Sequence, residues 1–99
     1  MPISHSDSID RLFQTILRLK TLEECYALFD DLCTIKEIQD MSQRLETAFL
    51  LDQGLNYQSI SEKIGISTAT ISRVSRCLRY GSGGYRRAID GEKEEQNGD

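Results

Sequence analysis

Residues 57–78 read YQSISEKIGISTATISRVSRCL, and this stretch predicts two short helices that meet at a sharp turn. Ile60 and Ile64 are one helical turn apart, so they can face a core together. Ser61 is small enough to lie where the two helices touch. Gly65 tolerates the positive φ that ends a helix in a tight turn. The pattern is typical of a helix-turn-helix.

The second helix of this pair has one buried stripe and one free surface. Ser67 or Thr68 provides its polar N-cap, and Ile71, Val74 and Leu78 form the stripe that must be buried. The remaining surface is small or hydroxylated near its start and basic further along. Arginine reads guanine, and hydroxyls contact bases or phosphates. The candidate DNA-facing residues here are Thr68, Ala69, Thr70, Ser72, Arg73 and Arg76, with the Thr70 side chain facing either DNA or the scaffold.

The charge distribution supports DNA binding, although the whole chain has a net charge of −4. Residues 1–52 carry 5 basic and 10 acidic side chains, and residues 90–99 carry 1 basic and 5 acidic. Residues 53–89 carry 6 basic side chains and 1 acidic, a net charge of +5. A basic module between acidic flanks suits a phosphate backbone. Arg79, Arg86 and Arg87 extend its positive edge.

The rest of the chain also predicts helices, so we expect an all-α fold. Apolar residues at helical spacing predict a helix over residues 6–20, capped by Ser6 or Asp7. Capping boxes at Thr21 and Thr34 predict two further helices, the last ending near Gly54. The predicted regions are a flexible N-terminus over 1–5, a helical dimerisation core over 6–54, a helix-turn-helix region with a short last helix over 55–90, and an acidic disordered tail over 91–99.

Several classes of function are disfavoured by the residue content. The chain has one His and three Cys without a CxxC pair, so neither a metal site nor a cofactor is expected. No nucleophile–base set indicates an enzyme. The first ten residues, MPISHSDSID, lack the pattern of a signal peptide, and no apolar run is long enough for a membrane helix. We therefore expect a cytoplasmic protein with free thiols.

Chain length bears on the oligomeric state. A chain of 99 residues buries a small core by itself, and the apolar faces predicted in its first half are broad. A self-contained bundle is one interpretation, and burial against a second copy is the other, which we favour. An alternative function is a protein-interaction adaptor in which the helix-turn-helix is only scaffold.

The motifs resemble those of a known family. Gln43-Arg44-Leu45-Glu46 and residues 67–73, STATISR, are similar to the Trp repressor superfamily. Residues 75–81, SRCLRYG, followed by Gly84-Tyr85, resemble its TrpR-related YerC/YecD branch. The resemblance covers roughly residues 6–90. It implies an intertwined all-helical homodimer that binds a near-palindromic operator in double-stranded DNA and regulates transcription as a repressor.

The resemblance also implies residue roles. Matching positions place Thr68, Ala69, Thr70, Ser72 and Arg73 at the DNA from the second helix. Tyr57, Gln58 and Ser61 would lie near the DNA backbone from the first helix, although Ser61 stands where the family has a stronger phosphate-binding group. Together with the basic residues further along the second helix, the candidate DNA-binding set is Gln58, Thr68, Ala69, Thr70, Ser72, Arg73, Arg76 and Arg79.

One part of the family pattern differs, the co-repressor pocket. Arg44 and Arg73 match two arginines that clamp the indole of L-tryptophan in the Trp repressor. The glycine that follows the second arginine is Val74 here, and Cys77 replaces a hydroxyl residue. We expect the Val74 side chain to fill part of the indole slot, so L-tryptophan is not the expected effector. Arg44 and Arg73 would then contact phosphate, pair with acidic neighbours, or bind an unidentified anionic effector.

Overall fold

A computed structural model describes residues 2–97, and this part of the chain contains six helices and no strand. The all-α prediction is confirmed. The helices are α1 (Asp7–Leu17), α2 (Leu22–Leu32), α3 (Ile35–Asp52), α4 (Tyr57–Ile64), α5 (Thr68–Tyr80) and α6 (Gly84–Asn97). None of them combines the length and apolar composition needed to cross a bilayer.

Polar side chains begin the helices where the sequence placed them. The Ser6 hydroxyl accepts the Ile9 amide at the start of α1. At the start of α3, Thr34 Oγ1 accepts the Glu37 amide at 3.1 Å, and Glu37 Oε1 accepts the Thr34 amide at 2.8 Å. This reciprocal pair is the predicted capping box. It also lowers the pKa of the Glu37 carboxyl, because hydrogen bonds from Thr34 favour its charged form.

Compact packing divides the chain into two units, residues 1–39 and 40–99, with the division inside α3. In the first unit, no residue of α1 or α2 is buried. Large apolar side chains there are open to solvent, with Leu17 85% exposed, Tyr26 72% and Ile35 76%. Tyr26, Phe29, Ile35 and Ile38 line an apolar groove of about 680 Å³. The first unit therefore has an apolar face without a core of its own.

The second unit has a true core made of two adjoining clusters. One contains the buried side chains Ala48, Val74 and Ile89, and the other contains Leu50, Ile60 and Ile71. Leu51 packs against both clusters. The end of α3, the α4–α5 pair and α6 thus share apolar contacts. The compact unit that carries the helix-turn-helix begins at Asp40. The division of roles between a dimerisation core over 6–54 and a DNA-binding region over 55–90 stays a prediction.

The end of α3 is tied to α6 by charge. The Asp52 carboxylate accepts hydrogen bonds from Lys93 Nζ at 2.7 Å and from Arg86 at 2.9 Å, and its side chain is only 14% exposed. Arg86 also lies 3.5 Å from Asp90, one turn further along α6. Lys93, and to a lesser degree Arg86, lower the pKa of the Asp52 carboxyl.

The structure differs from the acidic disordered tail that the sequence predicts over residues 91–99. Residues 91–97 continue α6 as helix, so the expectation of disorder over 91–99 is wrong for that part. Glu, Lys and Gln are strong helix formers, and the bond from Lys93 to Asp52 ties this turn to the core. Residues 98 and 99 lie outside the described part of the chain, as does Met1.

Candidate nucleic-acid interface

The turn between α4 and α5 has the geometry that the sequence predicted. Gly65 ends α4 in the left-handed region with φ of 85°, and its amide donates to the Ser61 carbonyl at 2.8 Å. A side chain at this φ would be strained, which explains the glycine. Ser67, not Thr68, is the N-cap of α5, since its hydroxyl accepts the Thr70 amide at 3.2 Å.

Helix α5 has the predicted two faces. Ile71, Val74 and Ser75 are buried against the core, with Leu78 half-buried on the same side. At 100° per residue, the positions opposite Ile71 are those of Ala69, Arg73, Arg76 and Tyr80, and all four residues are exposed. We call the side of α5 that carries these four residues the outward face. One side of the helix is thus held by packing, and the other is free to meet a partner.

The start of α5 presents small side chains. Thr68 and Ala69 are exposed, and Ser72 is half-buried beside the outward face. The sequence leaves the orientation of the Thr70 side chain open, and in the structure this side chain turns inward. Its side chain is half-buried, and its Oγ1 lies 3.1 Å from the Ser67 hydroxyl. Thr70 therefore belongs to the N-cap, and the small exposed residues at the start of α5 are Thr68 and Ala69.

The basic residues differ in their surroundings. Arg73, Arg76 and Arg79 are exposed along α5. Arg86 is held by Asp52 and Asp90, and the Asp52 bond raises the pKa of its guanidinium. Its charge is thus largely compensated within the molecule. The expectation that Arg86 extends the phosphate-facing edge stays a prediction, and this pairing weakens it.

Two residues of α4 that the resemblance places near the DNA backbone have hydrogen-bond partners within the helix pair. Gln58 is exposed, and its Nε2 donates to Glu62 one turn later at 3.4 Å. The Ser61 hydroxyl points inward, where it donates to the Ile66 carbonyl at 2.7 Å. Ser61 is therefore a structural part of the turn. Sequence reasoning gave it the right place, between the helices, but missed the hydrogen bond.

Arg44 and Arg73 lie on the wall of one cavity of about 340 Å³. Its other lining residues are Asp40, Gln43, Ile66, Ser67 and Thr70. Val74 is not among them. It is 1% exposed and packs in the core with Ala48 and Ile89. The Val74 side chain thus occupies the core and not this cavity, and the expectation that it fills part of an indole slot stays a prediction.

Two further residues were missed by sequence reasoning. Tyr80 is 82% exposed at the end of the outward face. Its spacing of four residues from Arg76 and seven from Arg73 was a signal that could have found it. Asp52 gave no such signal, since its partners Arg86 and Lys93 are 34 and 41 residues away in sequence.

The described residues show no other centre of chemistry. No cluster of His, Cys, Asp or Glu among residues 2–97 could hold a metal ion. The three cysteines are free thiols, with Cys25 and Cys33 half-buried and Cys77 exposed on α5. The outward face of α5 and the Arg44–Arg73 cavity are thus the features to explain.

Comparison with known proteins points to one family. The profile of the Trp repressor protein family matches residues 7–93. YerC of Bacillus subtilis (strain 168), itself uncharacterized, is 58% identical over 86 residues, which cover 87% of this chain and 83% of YerC.

Two solved structures agree with this match. A TrpR-like protein from Eubacterium eligens ATCC 27750 has a TM-score of 0.86 at 49% identity, covering 89% of this chain and 91% of that one. A crystal structure described as a candidate Trp repressor from Staphylococcus aureus has a TM-score of 0.86 at 47% identity, covering 90% and 89%.

Proposed function

This chain belongs to the Trp repressor protein family, and on that premise we propose that it is a transcription regulator that binds double-stranded DNA. The observation that carries the proposal is the outward face of α5. Ala69, Arg73 and Arg76 are exposed on it, while Ile71 and Val74 hold its opposite side in the core. This is how a reading helix is presented to a major groove.

The two kinds of contact are divided along α5. Thr68, Ala69 and Ser72 lie near its N-terminus, where base edges are met, and Arg73 is within reach of the same groove. Arg76 and Arg79 lie further along and suit phosphate contacts, which supply affinity and salt dependence. Residues 63–89 contain no acidic side chain, so nothing on this stretch repels the DNA backbone.

The proposed reader is a homodimer. The first unit exposes Leu17, Tyr26 and Ile35, and it has no buried residue in α1 or α2. Burial of such side chains against a second copy supplies the missing core. Two copies related by a two-fold axis would read a near-palindromic operator with half-sites about one helical turn apart.

We propose that L-tryptophan is not an effector of this protein. Six of the seven residues that line the Arg44–Arg73 cavity are polar, and Ile66 is the remaining one. An indole ring buried there would desolvate polar groups for which it offers a single N–H partner. Isothermal titration tests this point. We expect no heat of binding with L-tryptophan, and tight binding would require the ligand part of the proposal to be abandoned.

Selection from a randomised pool of DNA duplexes, with no small molecule added, tests the function. We expect enrichment of a two-fold symmetric site. If no site is enriched, the regulator proposal in this effector-free form fails, and the adaptor interpretation becomes the better one.

The salt dependence of binding separates the two functions further. A reader that contacts several phosphates loses affinity steeply as salt rises. An adaptor with a scaffold helix-turn-helix binds DNA weakly and with a shallow slope. We expect the steep slope, and a slope reduced by about one in Arg79→Ala.

A further inference from the structure

A hydrogen bond from a side chain of α4 crosses the turn into the start of α5. Ser61 Oγ donates to the Ile66 carbonyl at 2.7 Å, and both residues are half-buried. The Ser61 carbonyl in turn accepts the Gly65 amide at 2.8 Å. One serine thus holds the turn with both its hydroxyl and its carbonyl.

The bond reaches the residues that begin the reading helix. Ile66 directly precedes Ser67, whose hydroxyl caps α5 by accepting the Thr70 amide at 3.2 Å. Thr68 and Ala69 follow immediately, at the end of α5 proposed to enter the groove. A shift of the Ile66 carbonyl therefore changes the placement of the first turn of α5.

Apart from these two hydrogen bonds from Ser61 and Gly65, the turn has few contacts at Gly65. Gly65 has a φ of 85°, and a β-carbon built on it would have no neighbour within 4 Å. Glycine has more accessible backbone conformations than any other residue. Ile66 packs against the cluster of Leu50, Ile60 and Ile71 but is itself only partly buried. The Ser61 hydroxyl is thus the side-chain contact that ties Ile66 to α4, beside the backbone bond from the Gly65 amide to the Ser61 carbonyl.

We propose that Ser61 is a positioning residue for sequence discrimination, acting through the turn on the first turn of α5. The inference rests on the proposed function and adds to it a determinant of specificity. Ser61 does not read DNA in this account. It keeps Thr68, Ala69 and Ser72 in the orientation that matches base edges, while the phosphate contacts of the arginines do not depend on it.

The test compares two duplexes, the one enriched by the wild-type protein and a shuffled duplex of the same length and composition. Ser61→Ala removes the hydroxyl and keeps the residue small. Ser59→Ala is the matched control, because Ser59 is an exposed serine of the same helix. Ser61→Thr restores the hydroxyl. Thermal unfolding of each variant establishes that the protein is folded.

We expect Ser61→Ala to lower the ratio of enriched-duplex to shuffled-duplex affinity by about three- to tenfold, the range of one net hydrogen bond. Ser59→Ala should keep the ratio, and Ser61→Thr should restore it. A merely destabilising change lowers the active fraction and weakens both duplexes equally, so the ratio separates the two effects.

Two failures are distinguishable. If the wild-type protein enriches no duplex, the proposed function fails, and the inference fails with it. If the wild type enriches a site and folded Ser61→Ala keeps the full ratio, the positioning role alone is overturned. A fall in the ratio that Ser59→Ala reproduces also overturns it.

Discussion

At the scale of single residues, Arg73 is the side chain of α5 whose loss should change specificity. It lies on the outward face, one turn after Ala69, and also lines the cavity that contains Arg44. We expect Arg73→Ala to weaken binding to the enriched duplex by about 1–3 kcal/mol, the value of a bidentate base contact. Binding to a shuffled duplex should change much less. Competition titrations with both duplexes measure this, and equal weakening of the two would assign Arg73 to phosphate.

Arg79 and Arg86 can be compared, because Arg79 is exposed on α5 whereas Arg86 is bonded to the carboxylates of Asp52 and Asp90. Arg79→Ala should weaken all duplexes alike and reduce the salt slope by about one. Arg86→Ala removes the partner of Asp52 and Asp90, so it should lower Tm and leave the salt slope unchanged. Salt titrations and thermal unfolding of both variants provide the readouts. A similar loss of salt slope in both variants would indicate that Arg86 contacts phosphate as Arg79 does.

Residue roles were predictable where they depend on helical spacing. The buried stripe of Ile71 and Val74 and the caps at Ser6 and Ser67 follow from local pattern, because each involves contacts within one or two turns. That Arg44 and Arg73 line one cavity followed only from the resemblance, because the two residues lie on different helices.

At the scale of elements, the attachment of α6 to the end of α3 gives a pH-dependent prediction. The pKa of Asp52 is lowered from its ordinary 3.8, because Lys93 and Arg86 bond its carboxylate. As pH falls, the Asp52 carboxylate therefore takes up its proton at a higher pH in the unfolded state than in the folded state. The stability that the cluster contributes is present above pH 3.8 and is lost as pH falls through the folded-state pKa.

The variant Asp52→Asn checks this assignment. Its Tm should be several degrees below the wild-type value near pH 6, and the difference should shrink below pH 3.8. Asp90→Asn is the control, since the Asp90 side chain is 52% exposed and lies 3.5 Å from Arg86. Its Tm near pH 6 should differ little from the wild-type value. A Tm difference for Asp52→Asn that stays constant down to the acid limit would show that the carboxylate charge is not what matters.

Element boundaries were predictable from capping chemistry, and the extent of α6 was not. Thr21, Thr34 and Gly54 mark helix ends by hydrogen bonds to residues three to five positions away. The continuation of α6 through Asn97 depends on Lys93 meeting Asp52, 41 residues earlier. The low apolar content of residues 91–97 predicted disorder, whereas these residues are helical and Lys93 among them bonds Asp52 of α3.

At the scale of the whole molecule, self-association is the prediction that follows from the first unit. We expect sedimentation to give twice the chain mass of 11.3 kDa. Tyr26→Glu places a charge in the apolar groove and should raise the dimer dissociation constant roughly tenfold or more, since burial of a large apolar side chain is worth about 1.5–3 kcal/mol. Gln96→Glu adds the same charge on exposed α6 and should have no effect. A wild-type monomer at all concentrations would contradict the dimer.

The central claim is that α5 is the part of this protein that reads DNA, and backbone amide NMR tests it most directly. The ¹⁵N-labelled full chain is titrated with the duplex that it enriches. We expect the largest shift changes at Thr68, Ala69, Ser72, Arg73 and Arg76, with small changes in α1 and α2. Changes concentrated in α1 and α2, with the amides of α5 unmoved, would contradict it.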